Sequence, residues 1–217
     1  GSKIYDGSTT VNGSILSLTN LVSGETVSLS GSGSIDSAAV GANKTVNSGT
    51  LALTGSGSGN YTLSSYTTTF EVLPRPISLS GSRQYNGTAS ADNSDLTMSN
   101  LVSGESLNLS GVGTVLSAAV GSNKAISSGS LSLTNGSGTA TNYTLTGGTL
   151  ELTITPRQLT LSGTRVYDGT NNASNADLTN IANLVGSETL TLGGTGTVAS
   201  ASVGSNKNVT LNNLALV

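Results

Sequence analysis

The sequence predicts an all-β protein made of tandem repeats, each a small antiparallel β-sandwich of the immunoglobulin-like type. Short segments in which apolar and polar residues alternate recur along the chain, and Gly and Asn separate them at intervals of about ten residues. No segment has the apolar period of a long helix. A β-grasp-like repeat, with residues 96–101 as a short helix, is the alternative fold.

The repeat is defined by a Tyr-Asp-Gly or Tyr-Asn-Gly tripeptide that occurs three times. It begins at Tyr5, Tyr85 and Tyr167, so successive copies start 80 and 82 residues apart. Three further blocks recur in the same order: residues 21–25, 101–105 and 184–188; residues 40–44, 120–124 and 203–207; and residues 60–63 and 142–145. This period predicts three repeats, at residues 1–74, 75–156 and 157–217. We expect the first to lack its opening strand and the third its closing strands, so that only the middle repeat is complete.

Pro156 marks the junction between the second and third repeats. The alternating run of residues 150–155 ends there, and a second alternating run begins at Leu159. Proline has no amide hydrogen for a β-ladder and is confined to strand ends and edges, so two strands are predicted to meet here. Only Pro156 and Arg157 separate them, and we therefore expect adjacent repeats to keep one fixed relative orientation.

The middle repeat shows the predicted strands most completely. Alternation places them at residues 77–80, 106–109, 114–116, 131–134, 142–145 and 149–155. Residues 96–101 are predicted to form either a strand or a single helical turn. Seven or so short strands in one repeat are typical of a sandwich.

Five tyrosines occupy recurring positions and are predicted to be structural: Tyr5, Tyr61, Tyr85, Tyr143 and Tyr167. Tyr61 and Tyr143 each stand two residues before an apolar residue, as the tyrosine corner of immunoglobulin-like sandwiches does. We expect their rings to fill the core and their hydroxyl groups to bond to backbone. A ligand-stacking role is the alternative interpretation.

The composition argues against catalysis and against a nucleic-acid partner. The chain contains no His and no Cys, which removes the commonest general base, the thiol nucleophile and the soft metal ligands. Its formal net charge is -3 and it has no basic cluster that would bind nucleic acid. No apolar run approaches the length of a membrane helix. We predict that the chain is not an enzyme and has no catalytic residue, no cofactor-binding residue and no membrane span.

Two oxygen-rich loops are candidate calcium sites. Asp92 and Asp95 lie in one loop and Asp177 lies in the other, and calcium prefers oxygen ligands. The spacing matches no EF-hand, and the first repeat has no acidic residue in the corresponding loop. Asn and Asp in these loops are therefore also interpreted as turn formers, which would leave the chain without a cofactor.

Glu105 and Lys124 each recur in all three repeats, with the Lys 19 residues after the Glu every time. One interpretation is an exposed ion pair, which would contribute at most about 1 kcal/mol. The other is an isopeptide crosslink between Lys124 and an Asn, assisted by the Glu105 carboxylate.

Four features together resemble the YDG/MBG-type repeats of large bacterial surface proteins: the Tyr-Asp-Gly turn, the Val-Gly-Ser-Asn-Lys block, the Asn-Tyr-Thr-Leu strand and the Ile-Thr-Pro-Arg junction. Such repeats occur in tandem in filamentous-haemagglutinin-like adhesins. The resemblance covers essentially the whole chain and implies an extracellular or cell-surface array without enzymatic activity. The middle repeat has Asn86 where the other two have Asp, which argues against an essential carboxylate at that position.

These observations together predict a structural role. We expect the chain to be part of the stalk or shaft of a bacterial adhesin or related exoprotein, with the neighbouring repeats of the same chain as its partners. One alternative is a subunit of a self-assembling extracellular filament or sheath, in which identical chains pair along strand edges. Another is a surface module that binds glycans.

Overall fold

The computed structural model describes residues 1–63 and 70–217 of the chain. The described residues form twenty-five short strands and four single-turn 3-10 helices. They group into two compact units: unit 1 contains Gly1–Arg83, Ala89–Leu116 and Ser122–Thr153, and unit 2 contains Gln84–Thr88, Ser117–Gly121 and Ile154–Val217. The predicted all-β tandem repeat is confirmed. Among the described residues, no helix is long and apolar enough to cross a membrane.

The described residues of the first repeat, 1–63 and 70–74, form eight strands, all in unit 1. They are β1 (Ser2–Ile4), β2 (Thr10–Asn12), β3 (Ser28–Ser30), β4 (Ser32–Ile35), β5 (Gly41–Lys44), β6 (Val46–Asn47), β7 (Ala52–Thr54) and β8 (Phe70–Leu73). They form three small sheets with the strand orders β1-β8-β5, β2-β4-β6 and β3-β7. Single 3-10 turns at Gly13–Ile15 and Ser58–Asn60 follow β2 and β7.

Ten strands form the middle repeat. They are β9 (Arg75–Pro76), β10 (Ser78–Gln84), β11 (Ser90–Asp92), β12 (Leu96–Ser99), β13 (Leu107–Ser110), β14 (Val112–Val115), β15 (Gly121–Ser127), β16 (Ser132–Asn135), β17 (Tyr143–Thr144) and β18 (Leu150–Thr155). Six of them share the largest sheet, in the order β11-β14-β15-β18-β10-β12, while β13 pairs with β16 and β17 pairs with β9. Single 3-10 turns at Asn93–Asp95 and Ala140–Asn142 precede β12 and β17.

The third repeat contains seven strands, all in unit 2. They are β19 (Thr160–Ser162), β20 (Asn172–Ser174), β21 (Asn180–Ala182), β22 (Leu192–Gly193), β23 (Thr195–Val198), β24 (Val209–Thr210) and β25 (Ala215–Leu216). Strands β20, β23 and β24 form one sheet, β19 pairs with β21, and β22 pairs with β25.

Strands β8 and β18 occupy the centres of the sheets of the first two repeats. β8 lies between β1 and β5, and β18 lies between β10 and β15. Their inward side chains, Phe70 and Val72 on β8 and Leu152 and Ile154 on β18, are among the most deeply buried in the chain. Successive strand residues point to opposite faces, so the apolar residues two positions apart share the core side. Burial of each such side chain contributes about 1.5–3 kcal/mol.

Parallel strand pairing occurs in both of the first two repeats, whereas the sequence predicts antiparallel sandwiches. β8 runs parallel to β1, with Val72 opposite Lys3, and β17 runs parallel to β9, with Tyr143 opposite Arg75. Parallel strands need a long connection instead of a hairpin, and most of the first repeat separates β1 from β8. Alternation along a strand predicts its burial but carries no information on the direction of its neighbour.

Residues 96–101 adopt the first of the two predicted structures. β12 covers Leu96–Ser99, and only the 3-10 turn Asn93–Asp95 precedes it, so the helix of the β-grasp alternative is absent from these residues. The sequence did not predict β11 and β15. β15 contains residue types that are common in turns, and only its Ile126 is buried. Asn123 in this strand also has a positive φ of 48°.

Candidate functional site at the repeat joints

A shared carboxylate joins the first and second repeats within unit 1. The Tyr5 hydroxyl donates to Glu105 Oε1 at 2.5 Å, and the Tyr143 hydroxyl donates to Glu105 Oε2 at 2.6 Å. The two rings meet edge to face, with centroids 5.4 Å apart and an interplanar angle of 79°, a favoured geometry for aromatic pairs. Tyr5 belongs to the first repeat and the other two residues to the second. We call this group the first joint.

Backbone contacts hold each member of the first joint in place. The Tyr5 amide donates to the Leu73 carbonyl oxygen of β8 at 2.9 Å, so the core strand β8 positions the tyrosine that follows β1. The Tyr143 hydroxyl accepts a hydrogen bond from the Val102 amide at 3.2 Å. The Glu105 amide donates to the Val102 carbonyl oxygen at 3.0 Å in a tight turn, which sets the direction of the carboxylate.

A buried asparagine adds a second link between the same two repeats. Asn142 is 6% exposed, and its Oδ1 accepts a hydrogen bond from the Val40 amide at 2.9 Å. Asn142 directly precedes Tyr143, so one dipeptide supplies both an amide and a hydroxyl group to the joint. Buried polar groups are costly unless they are hydrogen-bonded, and this contact satisfies the Asn142 oxygen.

An arginine and a left-handed asparagine fix the entry to the second repeat. Arg75 Nη2 donates to Asn100 Oδ1 at 2.8 Å, and Asn100 Nδ2 donates to the Pro76 carbonyl oxygen at 2.7 Å. Asn100 has a φ of 70°, a conformation that Asn tolerates better than most residues. The same contacts recur in unit 2 between Arg157 and Asn183, at 2.6 Å.

The environment of the first joint keeps both tyrosines protonated. Burial, followed by the hydrogen bond to Glu105, raises the pKa of Tyr5 to about 12. Burial also raises the pKa of Tyr143, again with a contribution from Glu105. Both hydroxyl groups therefore act as donors to the carboxylate throughout the neutral pH range.

The second joint repeats the main contact within unit 2. The Tyr85 hydroxyl donates to Glu188 Oε1 at 2.5 Å, and the Tyr85 amide donates to the Thr155 carbonyl oxygen of β18 at 2.8 Å. The hydrogen bond to Glu188 raises the pKa of Tyr85. Tyr85 is half-buried and Glu188 is exposed, so this joint is more open to solvent than the first.

The first repeat contains the tyrosine–glutamate contact in its intra-repeat form. The Tyr61 hydroxyl donates to Glu25 and accepts from the Val22 amide at 2.9 Å. This is the arrangement of Tyr143, Glu105 and Val102 in the second repeat. The bond to backbone expected for a tyrosine corner is present in both repeats, and the carboxylate partner is an addition that the sequence did not indicate.

The Tyr-Asp-Gly turn uses its second residue as a hydrogen-bond acceptor. Asp6 Oδ1 accepts from the Ser8 amide at 2.9 Å, Asn86 Oδ1 from the Thr88 amide at 3.1 Å, and Asp168 Oδ1 from the Thr170 amide at 2.9 Å. The following glycines have φ values of 76°, 78° and 80°, the left-handed region that favours glycine. An amide oxygen serves this turn as well as a carboxylate oxygen does, which explains why Asn replaces Asp in the middle repeat.

Asp95 and Asp177, two of the candidate calcium residues, take part in local hydrogen bonds or ion pairs. Asp95 lies 3.7 Å from Arg83 Nε, and Asp177 Oδ2 accepts from the amide and hydroxyl groups of Ser174 at 2.9 and 2.7 Å. Asp92 lies in β11. In residues 1–63 and 70–217, no group of three or more acidic residues is arranged to hold a metal ion.

The remaining predicted residues fall into different surroundings. Within the described part of the chain, no salt bridge joins Glu105 to Lys124, so the ion-pair interpretation is corrected. The Glu105 carboxylate instead accepts hydrogen bonds from two tyrosine hydroxyl groups. The isopeptide crosslink stays a prediction. Pro156 and Tyr85 line one cavity of unit 2, whereas Tyr167 is 62% exposed.

The asparagine that precedes the Leu-Val block is a structural residue that was not predicted from the sequence. Asn20, Asn100 and Asn183 occupy this position and have φ values of 66°, 70° and 74°. Their recurrence immediately before a block already recognised is the signal that could have identified them.

Comparison with protein families agrees with this repeat pattern. The family model described as YDG domain matches residues 1–69, 73–150 and 151–217. No curated protein and no solved structure matches the chain closely enough to indicate a relationship.

Proposed function

The chain belongs to the YDG domain family, and we propose that it is a structural repeat region, the stalk of an extracellular bacterial adhesin or exoprotein. In this role it acts as a rigid spacer. Its partners are the neighbouring repeats of the same chain, and it performs no catalysis.

The observation that carries the proposal is the recurrence of one contact at two joints. Tyr5 donates to Glu105 in unit 1, and Tyr85 donates to Glu188 in unit 2, each at 2.5 Å. In both cases the tyrosine of one repeat reaches the glutamate of the following repeat. A joint made from residues of the repeat itself is copied whenever the repeat is copied, as in other repeat proteins whose units contact their neighbours.

Small-angle X-ray scattering of the 217-residue chain tests the rigid-spacer role. We expect one narrow pair-distance distribution that is unchanged between low and high salt, because partly buried contacts are screened less than exposed ones. Scattering typical of freely jointed beads would contradict the proposal. A glycan array tests the alternative of a surface module that binds glycans. Specific glycan binding by the repeats would favour that alternative over the spacer role.

Surface labelling tests the proposed location. Antibodies raised against the purified repeats should label intact bacterial cells that produce the full protein. Labelling that appears only after the cells are lysed would contradict an extracellular stalk.

A further inference from the structure

The sequence contains three Asn-Gly dipeptides, which begin at Asn12, Asn86 and Asn135. Glycine has no Cβ, so its main-chain nitrogen can approach the side-chain amide carbon of a preceding asparagine with little steric obstruction. Each dipeptide is followed by Ser or Thr, and the three local sequences are therefore closely matched. Any large difference in their reactivity must come from the structure around them.

The side-chain carbonyl group of Asn86 is held by two hydrogen-bond donors. Its Oδ1 accepts from the Thr88 amide at 3.1 Å and from the Thr88 hydroxyl at 2.9 Å. When a nucleophile attacks a carbonyl carbon, negative charge develops on the oxygen, and donors already placed there stabilise it. The turn therefore gives the Asn86 amide the type of contact that an oxyanion hole gives in acyl transfer.

The Gly87 amide is the nucleophile that follows Asn86 in the chain. Gly87 and Thr88 are exposed, so water reaches this turn. No backbone carbonyl oxygen in residues 1–63 and 70–217 accepts a hydrogen bond from the Gly87 amide. This nitrogen can therefore lose its proton to water or hydroxide without the cost of breaking a main-chain hydrogen bond.

The other two Asn-Gly dipeptides are held by contacts that oppose the same reaction. Gly13, which follows Asn12, is buried, and its amide donates to the Gly31 carbonyl oxygen at 2.9 Å. Asn135 is the last residue of β16, and its carbonyl oxygen accepts from Asn108 Nδ2 at 2.8 Å. Attack on the side-chain carbon would break the first contact or rotate the main chain against the second, and either raises the barrier.

We propose that Asn86 is a site of spontaneous deamidation, in which water is the only co-reactant. The Gly87 nitrogen loses its proton and attacks Asn86 Cγ, the Cγ–Nδ2 bond breaks, and the Nδ2 amino group leaves with one proton as ammonia. Water then opens the resulting succinimide, at Cγ to give aspartate or at the main-chain carbonyl carbon to give isoaspartate. In sum, one amide and one water give one carboxylic acid and one ammonia, without oxidation or reduction.

The aspartate product has counterparts in the other two repeats. Asp6 and Asp168 occupy the position of Asn86, and each accepts a hydrogen bond at 2.9 Å from the amide two residues later. Asn86 makes the equivalent contact, so the turn accommodates aspartate without rearrangement. Deamidation thus converts Tyr-Asn-Gly into the Tyr-Asp-Gly of the other repeats and adds one negative charge next to Tyr85.

Incubation of the intact chain in mildly alkaline water enriched in heavy oxygen, followed by peptide mapping with mass spectrometry, tests the proposal. The heavy oxygen enters the acid only when the succinimide opens during the incubation, so conversion during later sample preparation is not counted. We expect labelled acid to form at position 86 at least about tenfold faster than at Asn12 or Asn135. Isoaspartate among the products would identify the succinimide route.

Urea and two variants separate the effect of the structure from that of the sequence. In the urea-unfolded chain the three dipeptides should react at similar rates, because their local sequences are matched. In the folded chain, Thr88→Val should slow the reaction of Asn86 about three- to tenfold, since it removes the hydroxyl donor and keeps the amide. Thr88→Ser keeps a hydroxyl group and should retain the rate, and conversion of Asn12 should be unchanged in both variants.

Three results would overturn the proposal. The first is an absence of labelled acid at position 86 in the folded chain. The second is the same ratio of the three rates in the folded and the unfolded chain, and the third is an unchanged or faster reaction of Asn86 in Thr88→Val. All three leave the spacer role untouched, since scattering of the chain tests that role.

Discussion

The two joints contain the same residue types but bury them to different extents. Tyr5 is 5% exposed, and its carboxylate partner Glu105 also accepts from Tyr143. Tyr85 is half-buried, and its partner Glu188 is exposed. The third repeat of this sequence, up to Val217, contains no Asn-Tyr-Thr-Leu block to supply a second tyrosine.

The difference shows that a complete joint needs three blocks of the repeat. The Tyr-Asp-Gly turn gives one tyrosine, the Leu-Val block gives the glutamate, and the Asn-Tyr-Thr-Leu block gives the second tyrosine with its asparagine. In the second joint, which has only the first two blocks, the tyrosine–glutamate hydrogen bond forms but remains exposed to solvent. Charge-assisted hydrogen bonds contribute more where solvent is excluded, so the same change should have unequal effects at the two joints.

The largest expected effect is that of Glu105→Gln. Removing the charge weakens two hydrogen bonds in a partly buried group, and we expect the free energy of unfolding to fall by about 1–3 kcal/mol. The matched change Glu188→Gln should cost less than about 1 kcal/mol, because that carboxylate is exposed. Urea denaturation of both variants measures the difference. Equal losses would contradict the conclusion that the first joint is the stronger.

A somewhat smaller effect is expected for Asn142→Ala. The change removes the acceptor of the Val40 amide and leaves a buried space, which should cost about 1–2 kcal/mol. Asn60 occupies the same position in the first repeat but is exposed, so Asn60→Ala should be close to neutral. Thermal melts of both variants provide the test. A loss at Asn60 as large as that at Asn142 would show that the effect is local to the turn and does not involve the joint.

Tyr5→Phe should cost about 1 kcal/mol at neutral pH and should also change the pH dependence. The pKa of Tyr5 is about 12 in the folded chain against an ordinary value of 10.0, so unfolding releases a proton between these values. Stability from this group is complete below pH 10 and is lost as the pH rises toward 12. An absorbance titration follows the formation of tyrosinate as the pH rises. The ionisation step at the highest pH should therefore be missing in the Tyr5→Phe variant. Retention of that step would contradict the assignment to Tyr5.

The smallest expected effect is that of Asn86→Asp. The structure gives Asp6, Asn86 and Asp168 the same turn hydrogen bond, so the change should alter stability by less than about 0.5 kcal/mol. Asn86→Ala removes the acceptor and should cost about 1 kcal/mol. Chemical denaturation of the Asn86→Asp and Asn86→Ala variants decides whether the stability of the turn depends on a charge or on an acceptor oxygen at this position. A large gain from Asp would indicate a role for charge that the turn geometry does not require.

The strands that could be predicted are those with strict alternation. β10, β13, β16 and β18 follow directly from leucine and isoleucine at every second position. β15 could not be predicted, because Gly121, Asn123 and Lys124 resemble a turn, and the segment is extended only through its place in the sheet between β14 and β18. The tyrosines were predicted to be structural from their recurrence and, for Tyr61 and Tyr143, from their resemblance to a tyrosine corner. Their carboxylate partner was not, because Tyr5 and Glu105 are 100 residues apart in sequence.

The sequence by itself determined the repeat length, the all-β class, the positions of the turns and the recurrence of the joint residues. These properties depend on local patterns: side-chain alternation, glycine and asparagine in left-handed turns, and proline at the repeat boundary. Only the tertiary structure decided that the tyrosine of one repeat binds the glutamate of the next, and that β8 runs parallel to β1. Both depend on which distant segments approach one another, and the packing of the central strand decides that.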